Sequence, residues 1–445
     1  MITRHQTKYL EQWADSEDRK PLILRGARQV GKTTMVSQFA TNYDVLLALN
    51  LDKPEDAELF EQYLNVVTLT DAIYRHCRKQ KKSGKTLLFI DEIQSSPKAV
   101  AMLRYFYEEM PHLHVICAGS LLESLIDKQI SFPVGRVEYL AIRPCSFLEF
   151  LDGIGEQFDA DLVSNLDVSN VHQRVITSFM NFAIVGGMPA AINKYAVNRD
   201  VLATDKVYET LLNAYIDDVE KYARSESMGQ VIRFILRNAW GFTSQRISFE
   251  RFAGSNYKSR EIGEAFRTIE KAMLLELVYP VSSTQIPLLT LTSHRPKLIM
   301  LDMGLVNYIA GVREELFSVT DIMDAWRGNI AEQIVAQELL SCKWQVSARR
   351  QFWDRPKTQS TAEVDFVVQY KNLAIPIEVK SGHNSKLKSL HQYMDEAPHD
   401  IAVRVWSQPL SIDNVKTTKG KSFKLLNVPF YYVCILNKVI EKYFN

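Results

Sequence analysis

The sequence predicts an α/β fold built on a parallel β-sheet, and three observations support this prediction. In the first third of the chain, apolar runs near positions 22, 45, 87 and 114 alternate with amphipathic segments after 32, around 56 and 71, and after 97. This alternation is typical of parallel strands joined by helical crossovers. A glycine-rich turn directly follows the first apolar run, and the third run ends in two adjacent acids.

The glycine-rich turn has the spacing of a phosphate-binding loop. It reads GARQVGKTT and fits the pattern G-x-x-x-x-G-K-[ST] between a predicted strand and a predicted helix. Gly26 and Gly31 allow the backbone to curl so that its N–H groups point at phosphate oxygens. We expect Lys32 to reach the β and γ phosphates and Thr33 to hold Mg²⁺. The nucleotide-binding residues predicted here are Gly26, Ala27, Arg28, Gln29, Val30, Gly31, Lys32, Thr33 and Thr34.

The run LLFIDE at 87–92 supplies the acids that such a loop requires downstream. Asp91, at the tip of the predicted strand, is expected to order the magnesium ion through water. Glu92 is placed to polarise the attacking water. The two acids together favour hydrolysis over nucleotide binding alone, so the sequence predicts an ATPase that uses ATP and Mg²⁺.

Ser120, Arg136 and Arg143 are further candidates. Ser120 ends the apolar run HVICAGS, and it is either a γ-phosphate sensor at the carboxyl end of a strand or the N-cap of the next helix. Arg136 is a candidate arginine finger, supplied in cis or by a neighbouring subunit of a homo-oligomer, because a fixed cation stabilises charge on the γ-phosphate. Arg143 is a second candidate, and for either arginine the alternative is a structural or surface role.

Several motifs in order along the chain resemble a known family. These motifs are GARQVGKTT, LLFIDEIQ, AGSLLESL, GRVEYLAIRPCSFLEFL and GGMPAAINKY. They are similar to prokaryotic AAA-type ATPases that carry a C-terminal domain of unknown function, which are related to archaeal-type and signal-transduction P-loop ATPases. The resemblance implies a P-loop parallel-sheet ATPase core, a helical lid, a winged-helix-like segment and a terminal nuclease-like module. One departure is Ser120, where many AAA+ proteins have Asn.

The expected domains are an ATPase core at 1–154, a helical lid at 155–225, a winged-helix-like domain at 226–315 and a nuclease-like domain at 316–445. In the lid, GGMP at 186–189 is interpreted as a break between two helices, or simply as the glycines that end one helix. The segment SREIGEAFRTIEKAMLLELV has the pattern of a recognition helix that leads into a wing. Its charges either contact DNA or form a solvated face.

A second set of acids lies in the last domain. Glu332 is expected on a helix, Asp365 in a strand, and Glu378 and Lys380 on the next strand. Side chains alternate along a strand, so Glu378 and Lys380 project to the same side. The three carboxylates, with the carbonyl of Val379, suit Mg²⁺ or Mn²⁺, and Lys380 is placed to orient or deprotonate a water.

This second set resembles the PD-(D/E)xK nuclease superfamily over roughly residues 325 to 410. By that resemblance Asp365 is the motif aspartate, Glu378 and Lys380 form the E-x-K element, and Glu332 is the acid of the first helix. The chain departs from the motif at Val364, where the family has proline. The resemblance implies a C-terminal α/β restriction-endonuclease-like domain that cleaves DNA. The alternative is a retained fold whose acids only pair with Lys and Arg.

Composition sets limits on the function. The 445 residues are 46% hydrophobic, which is ample for several packed domains. The net charge of +1 favours neither the presence nor the absence of a nucleic-acid partner. Five scattered cysteines, no signal peptide and no membrane-length apolar run predict a cytoplasmic protein that does not bind membranes. We therefore predict a Mg²⁺-dependent ATPase coupled to DNA cleavage, or else an ATP-switched signalling or regulatory ATPase whose nuclease-like domain only binds DNA or a protein.

Overall fold

The computed structural model describes residues 2–119, 133–219, 223–311, 328–355, 362–380 and 387–444. Its first part contains a five-stranded parallel sheet with the strand order β2-β3-β4-β1-β5. The strands are β1 (Leu22–Arg25), β2 (Val45–Asn50), β3 (Thr86–Asp91), β4 (His114–Gly119) and β5 (Glu138–Ala141). The helices around it are α1 (Thr7–Ala14), α2 (Lys32–Phe39), α3 (Pro54–Gln62), α4 (Val66–His76) and α5 (Pro97–Glu109). The predicted parallel-sheet α/β core is confirmed.

The strands form because short apolar runs are buried on both faces of the sheet. In β1, Leu22 and Leu24 pack into one hydrophobic cluster and Ile23 into the other, on the opposite face. Two of the helices begin at residues whose side chains cap the helix N-terminus. The side chain of Asn65 accepts hydrogen bonds from the first turn of α4, and that of Ser96 accepts one from α5.

Helices follow the sheet. Helix α6 (Phe147–Gly153) lies before the predicted lid, and α7 (Gln157–Ser164), α8 (His172–Val185), α9 (Pro189–Asn198) and α10 (Asp205–Asp217) lie within its predicted limits. The GGMP motif lies between α8 and α9. Gly186 has a φ of +84°, and a Cβ there would lie 2.5 Å from Oδ1 of Asp302, so only glycine fits this turn. The predicted break between two helices is therefore present, and a glycine ends the first of them.

The next region combines helices with a hairpin. It contains α11 (Glu226–Asn238), α12 (Ser259–Lys271), β6 (Leu275–Val278), β7 (Pro280–Val281), β8 (Lys297–Met300) and α13 (Met303–Ala310). Strands β6 and β8 are antiparallel. Helix α12 buries Ile262, Phe266 and Ile269, which recur at helical spacing. The winged-helix assignment and the limits of this domain remain predictions.

The last region is an α/β unit of its own. Its elements are α14 (Gly328–Ser341), β9 (Phe352–Asp354), β10 (Glu363–Val364), β11 (Phe366–Tyr370), β12 (Leu373–Val379), α15 (Lys388–Glu396), β13 (Ile401–Trp406), β14 (Ser411–Lys416), β15 (Ser422–Pro429) and α16 (Leu436–Phe444). The main sheet has the order β11-β12-β13-β15-β14. Strands β12, β13 and β15 are parallel, and β11 and β14 are antiparallel to their neighbours.

Two sequence predictions need correction. Asp365 does not lie within a strand, because the chain leaves one sheet for another at this residue. Strand β10 pairs with β9, β11 pairs with β12, and Asp365 forms the bend between them. The alternation of apolar runs also did not reveal β5, since its sequence EYLA is only four residues long.

One hydrophobic cluster runs through all of these regions. It includes Ile2 near the beginning of the described chain, Leu24 of the first sheet, Phe179 of the lid, Phe266 of α12 and Ile440 of α16. The regions therefore share buried surface. No helix in the described parts of the chain is long and apolar enough to cross a membrane.

Candidate functional site

The phosphate-binding loop joins β1 to α2 in a conformation that depends on glycine. Gly31 has a φ of +95°, in the left-handed region that side chains rarely adopt. A Cβ at Gly26 would lie 2.2 Å from the carbonyl oxygen of Ile142, because the two backbones approach closely there. Each of these two glycines is thus required for a different steric reason.

Lys32 is folded onto the loop itself. Its Nζ donates hydrogen bonds of 2.9 Å to the carbonyl oxygens of Gly26 and Ala27, and the residue is only 8% exposed. Burial lowers the pKa of Lys32 to about 8, and attraction to Glu92 and Asp91 partly opposes this effect. Phosphate oxygens are stronger acceptors for an ammonium group than these neutral carbonyls. The lysine is therefore held where a nucleotide phosphate would replace its present partners.

Thr33 of α2 and Asp91, the last residue of β3, are hydrogen-bonded to each other. Thr33 Oγ1 donates to Asp91 Oδ2 at 2.7 Å. A hydroxyl and a carboxylate oxygen at this spacing are the ligand types that Mg²⁺ takes beside nucleotide phosphates, so the residues present fit the ion. Glu92 follows at the end of β3 with a φ of +51°, and Gln94 donates a hydrogen bond to its carboxylate. This strained turn directs the acid away from the strand.

The loop is also tied to residues that the motif does not include. Arg4 donates to the carbonyl of Val30 at 2.7 Å. Arg28 forms an ion pair with Asp218, beyond α10 of the lid. Thr34 is exposed on α2. No local pattern in the sequence marks Arg4 or Asp218, because each lies far from the loop along the chain.

Arg136 lies at the far end of the sheet from the loop. It precedes β5, whose first residue, Glu138, pairs with Leu22 at the amino end of β1. The loop follows the carboxyl end of β1, so Arg136 does not reach the loop of its own chain. Its side chain instead pairs with Glu108 and is 39% exposed. The role in cis does not fit this placement, whereas a role in a neighbouring subunit stays a prediction.

Arg143 has a structural role. Its Nη1 donates to the carbonyl of Lys343 at 2.6 Å and its Nη2 to that of Gln345 at 3.0 Å. Burial and the nearby cations Arg350 and Arg349 lower the pKa of Arg143 to about 10. The residue joins the first sheet to the C-terminal region. Ser120 lies outside the described residues.

The C-terminal residues Glu332, Asp365, Glu378 and Lys380 come together as the sequence predicts. Lys380 pairs with Oε1 of Glu378 at 2.7 Å. The backbone N–H of Val379 donates to Asp365 at 2.7 Å. Glu332, from α14, reaches the same place, but its partner is Lys297 of β8, at 3.0 Å. We call the four acids Glu332, Glu363, Asp365 and Glu378, with Lys297 and Lys380, the acid cluster.

Burial controls the charges in the acid cluster. It raises the pKa of Glu378 to about 8, and the neighbouring Asp365 acts in the same direction while Lys380 opposes both. The pKa of Glu332 is raised to about 8, first by burial and then by Asp365. For Lys297, burial lowers the pKa, but attraction to Glu332, Asp365 and Glu363 outweighs it and raises the pKa overall. In the acid cluster, the four acids thus outnumber the two lysines.

Whether the acid cluster fits a divalent metal depends on its lysines. Within the described ranges, no group of three or more His, Cys, Asp or Glu side chains is placed to hold a metal ion. Lys297 and Lys380 pair with Glu332 and Glu378 of the cluster. Oε2 of Glu378 is buried and contacts no donor in the described part of the chain. An unpaired buried carboxylate oxygen is costly and suits a cation, so the types of donor present suit a metal ion, whereas their present placement does not hold one.

Sequence reasoning missed Lys297 and Glu363. Glu363 stands two residues before Asp365 in the segment AEVDF and carried a local signal, since acids that flank a motif acid often share its surroundings. Lys297 carried no signal, because it belongs to the region predicted as a separate domain.

Family models match three parts of the chain. Residues 18–151 match a model described as an AAA domain. Residues 176–316 match a domain of unknown function (DUF8612), and residues 327–426 match another (DUF4143). No curated protein sequence is significantly similar to the chain.

Solved structures share parts of the architecture at low identity. A Walker-type ATPase of Pyrococcus abyssi is 15% identical with a TM-score of 0.44, over 70% of this chain and 96% of that one. The RuvB Holliday junction branch migration motor of Thermotoga maritima is 15% identical with a TM-score of 0.30, over 62% and 90%. The Orc1 protein of Aeropyrum pernix, in complex with DNA, is 11% identical with a TM-score of 0.29, over 72% and 95%.

Proposed function

We propose that this chain, an AAA-type ATPase by virtue of residues 18–151, uses ATP hydrolysis to control a metal-dependent DNA-cleaving site in its C-terminal region. The observation that carries the proposal is the convergence of Asp365, at the bend before β11, with Glu378 and Lys380, at the end of β12. The order of these residues along the chain and their proximity in space support the proposal, because metal-dependent phosphodiester cleavage needs acids and a lysine at one place.

The ATPase step follows from the loop. Lys32 exchanges its two carbonyl partners for phosphate oxygens, and the backbone N–H groups of the loop bind the same phosphates. Thr33 and Asp91 would hold Mg²⁺, which when bound would supply neutralisation of the phosphate charge. Glu92 polarises the attacking water. Arg136 of a neighbouring subunit supplies the cation that stabilises the transferred phosphoryl group.

The proposed cleavage step uses the acid cluster. Asp365, Glu378 and Glu332 would hold Mg²⁺ or Mn²⁺, which supplies Lewis-acid stabilisation of the charge on the phosphate when bound. The unpaired Oε2 of Glu378 is the oxygen already available for the ion. Lys380, released from Glu378, orients or deprotonates the water that attacks phosphorus. DNA is the proposed substrate and a homo-oligomer the proposed assembly.

We propose that contacts of α14 connect the two sites. Arg143, just beyond β5, donates to two carbonyls of the segment that follows α14. Phe147, the first residue of α6, donates its backbone N–H to Glu338 within α14. Because α14 also carries Glu332, a nucleotide-dependent shift of α6 would act on the helix that supplies one acid of the cluster.

A second candidate function also has a specific observation in its favour. Lys297 and Lys380 already neutralise part of the acid cluster in this structure. A C-terminal region of this kind would bind DNA or a protein without cutting it. The protein would then be a regulatory ATPase whose nucleotide state changes its affinity for that partner.

Cleavage assays separate the two functions. Linear, supercoiled, single-stranded and branched DNA are incubated with Mg²⁺ or Mn²⁺, with and without ATP. We expect wild type to cut, and Asp365→Ala and Lys380→Ala to lose cutting while they keep ATP turnover. Lys371→Ala, at the opposite end of the β11–β12 hairpin, is the matched control and should cut normally. ATP turnover without cutting by wild type would favour the regulatory ATPase.

A further inference from the structure

Lys297 is an unusually placed lysine. It is the first residue of β8, in the hairpin formed with β6, and only 2% of it is exposed. Its Nζ lies 3.0 Å from Oε2 of Glu332 and 2.5 Å from Oε1 of Glu363. A lysine is almost never this buried unless it is paired, and here the pairing partners come from a different region of the chain.

The ammonium group of Lys297 contacts the carboxylate that the proposed metal ion would need as a ligand. Glu332, one of the three predicted metal ligands, has its Oε2 bound to Lys297. A metal ligand must approach within about 2.0 to 2.6 Å of the ion. An ammonium group at hydrogen-bond distance fills the same space and the same lone pairs, so the two cations compete for Glu332.

The hairpin and helix α14 are fastened together beside this contact. The side-chain oxygen of Gln333 accepts from the backbone N–H of Met300 at 3.0 Å, and its Nε2 donates to the carbonyl of Met300 at 2.9 Å. Gln333 also accepts from Thr243. All three groups are buried, so the bonds resist separation. Release of Glu332 would therefore need rotation of the Lys297 side chain rather than separation of the two elements.

We propose that Lys297 is a tethered cation that competes with the divalent metal for Glu332 and so holds the C-terminal site in a metal-free state. This inference rests on the proposed function, because it presupposes the metal site. Rotation of Lys297 away from Glu332 would free this acid for a metal ion, and the return of Lys297 would restore the pairs seen in this structure. The region between the ATPase core and the nuclease-like module thereby sets the metal affinity of the site.

Metal binding tests the inference without reference to activity. Mn²⁺ binding is measured on the full chain without nucleotide, from the electron paramagnetic resonance signal of free Mn²⁺. The part lost in Asp365→Asn is assigned to the acid cluster, which separates it from the loop. We expect Lys297→Met to bind this Mn²⁺ about tenfold more tightly than wild type, equivalent to about 1.4 kcal/mol.

Arg246→Met is the matched control. Arg246 also binds Glu363 and comes from the same region, but its other partner is Asp354 and not Glu332. We expect this variant to change Mn²⁺ affinity much less than Lys297→Met. If Lys297→Met fails to fold by thermal denaturation, Lys297→Gln removes the charge while it keeps a hydrogen-bond donor, and it carries the same expectation.

The outcomes separate this inference from the function on which it rests. Asp365-dependent Mn²⁺ binding that is unchanged or weaker in both Lys297 variants would overturn the competition and leave the proposed metal site standing. An absence of Asp365-dependent binding in wild type and in both variants would overturn the metal site and the competition together. Tighter Mn²⁺ binding in the Lys297 variants, but not in Arg246→Met, supports the metal site and the competition by Lys297.

Discussion

The backbone N–H of Phe147 donates to both carboxylate oxygens of Glu338, at 3.1 and 3.3 Å. Phe147 begins α6, and Glu338 lies within α14, about 9 Å along the helix axis from Glu332. Burial raises the pKa of Glu338 well above its usual range, with Cys342 acting in the same direction. This buried carboxyl group thus adds to the contacts of Arg143 in connecting the nucleotide-binding part of the molecule to the C-terminal region.

Removing this connection should destabilise the protein. In Glu338→Ala, the buried N–H of Phe147 loses its acceptor, and we expect a loss of about 1 to 3 kcal/mol in the free energy of unfolding. Glu338→Gln keeps one carbonyl acceptor and should lose less. Urea denaturation of the two variants measures the difference. Equal stability of Glu338→Ala and wild type would contradict the importance of this contact.

Two substitutions separate ATP binding from ATP hydrolysis. Lys32→Ala should abolish binding, since no other side chain of the loop offers an ammonium group to the phosphates. Glu92→Gln should bind ATP and fail to hydrolyse it, because the amide cannot polarise the attacking water. Fluorescent ATP binding and phosphate release measure the two steps. Gln94→Ala, which removes only the hydrogen-bond donor to Glu92, should slow ATP hydrolysis to an intermediate degree. Normal hydrolysis in Glu92→Gln would contradict the role of Glu92 in polarising the water.

Arg136 should act on the site of another subunit. Arg136→Ala is expected to lower ATP turnover by about a thousandfold, the usual effect of losing an arginine finger. Mixing it with Lys32→Ala should restore turnover, because the second protein supplies an intact Arg136 to the first. Arg104→Ala is the control, since Arg104 also binds Glu108 but should have little effect. A mixture no more active than its separate components would rule out the action between subunits.

His114 should make stability depend on pH. Burial, together with Arg19 and Lys85, lowers the pKa of His114 to about 4, while Asp15 opposes the shift. Below its usual pKa of about 6.5, the unfolded chain binds a proton that the folded chain refuses, so stability present above pH 6.5 is lost as the pH falls towards 4.

The expected loss from this residue between pH 7 and pH 5 is about 1 to 2 kcal/mol. His114→Asn keeps an acceptor near the position of Nδ1, where the hydroxyl of Tyr43 lies 2.7 Å away, but does not titrate. Urea midpoints at the two pH values should therefore fall further for wild type than for the variant. Parallel losses in both proteins would contradict the prediction.

The sequence was most informative where structure depends on neighbours along the chain. The loop at Gly26 and the acids after β3 were located because a strand, a turn and a helix follow one another within a few residues. The same holds for the grouping of Asp365 with Glu378, which a single hairpin produces. In each case local periodicity was sufficient to place the residues.

Prediction failed where partners are distant along the chain. Arg143 was a candidate for phosphate contact, but it binds carbonyls some 200 residues away. Lys297 was assigned to another domain, yet it pairs with Glu332 in the acid cluster. Such contacts depend on how packed regions meet, and neither hydrophobic spacing nor residue type encodes that arrangement locally.

The shared hydrophobic cluster has a consequence for how this protein is made. Phe430 stacks on Phe179 of the lid with ring centroids 5.8 Å apart, and Tyr431 bonds His172 at 2.9 Å. Helix α8 is therefore covered by residues synthesised some 250 positions later. During translation an apolar face of the lid stays exposed until these residues have been synthesised. We therefore expect the growing chain to need chaperone protection until residues beyond 430 leave the ribosome.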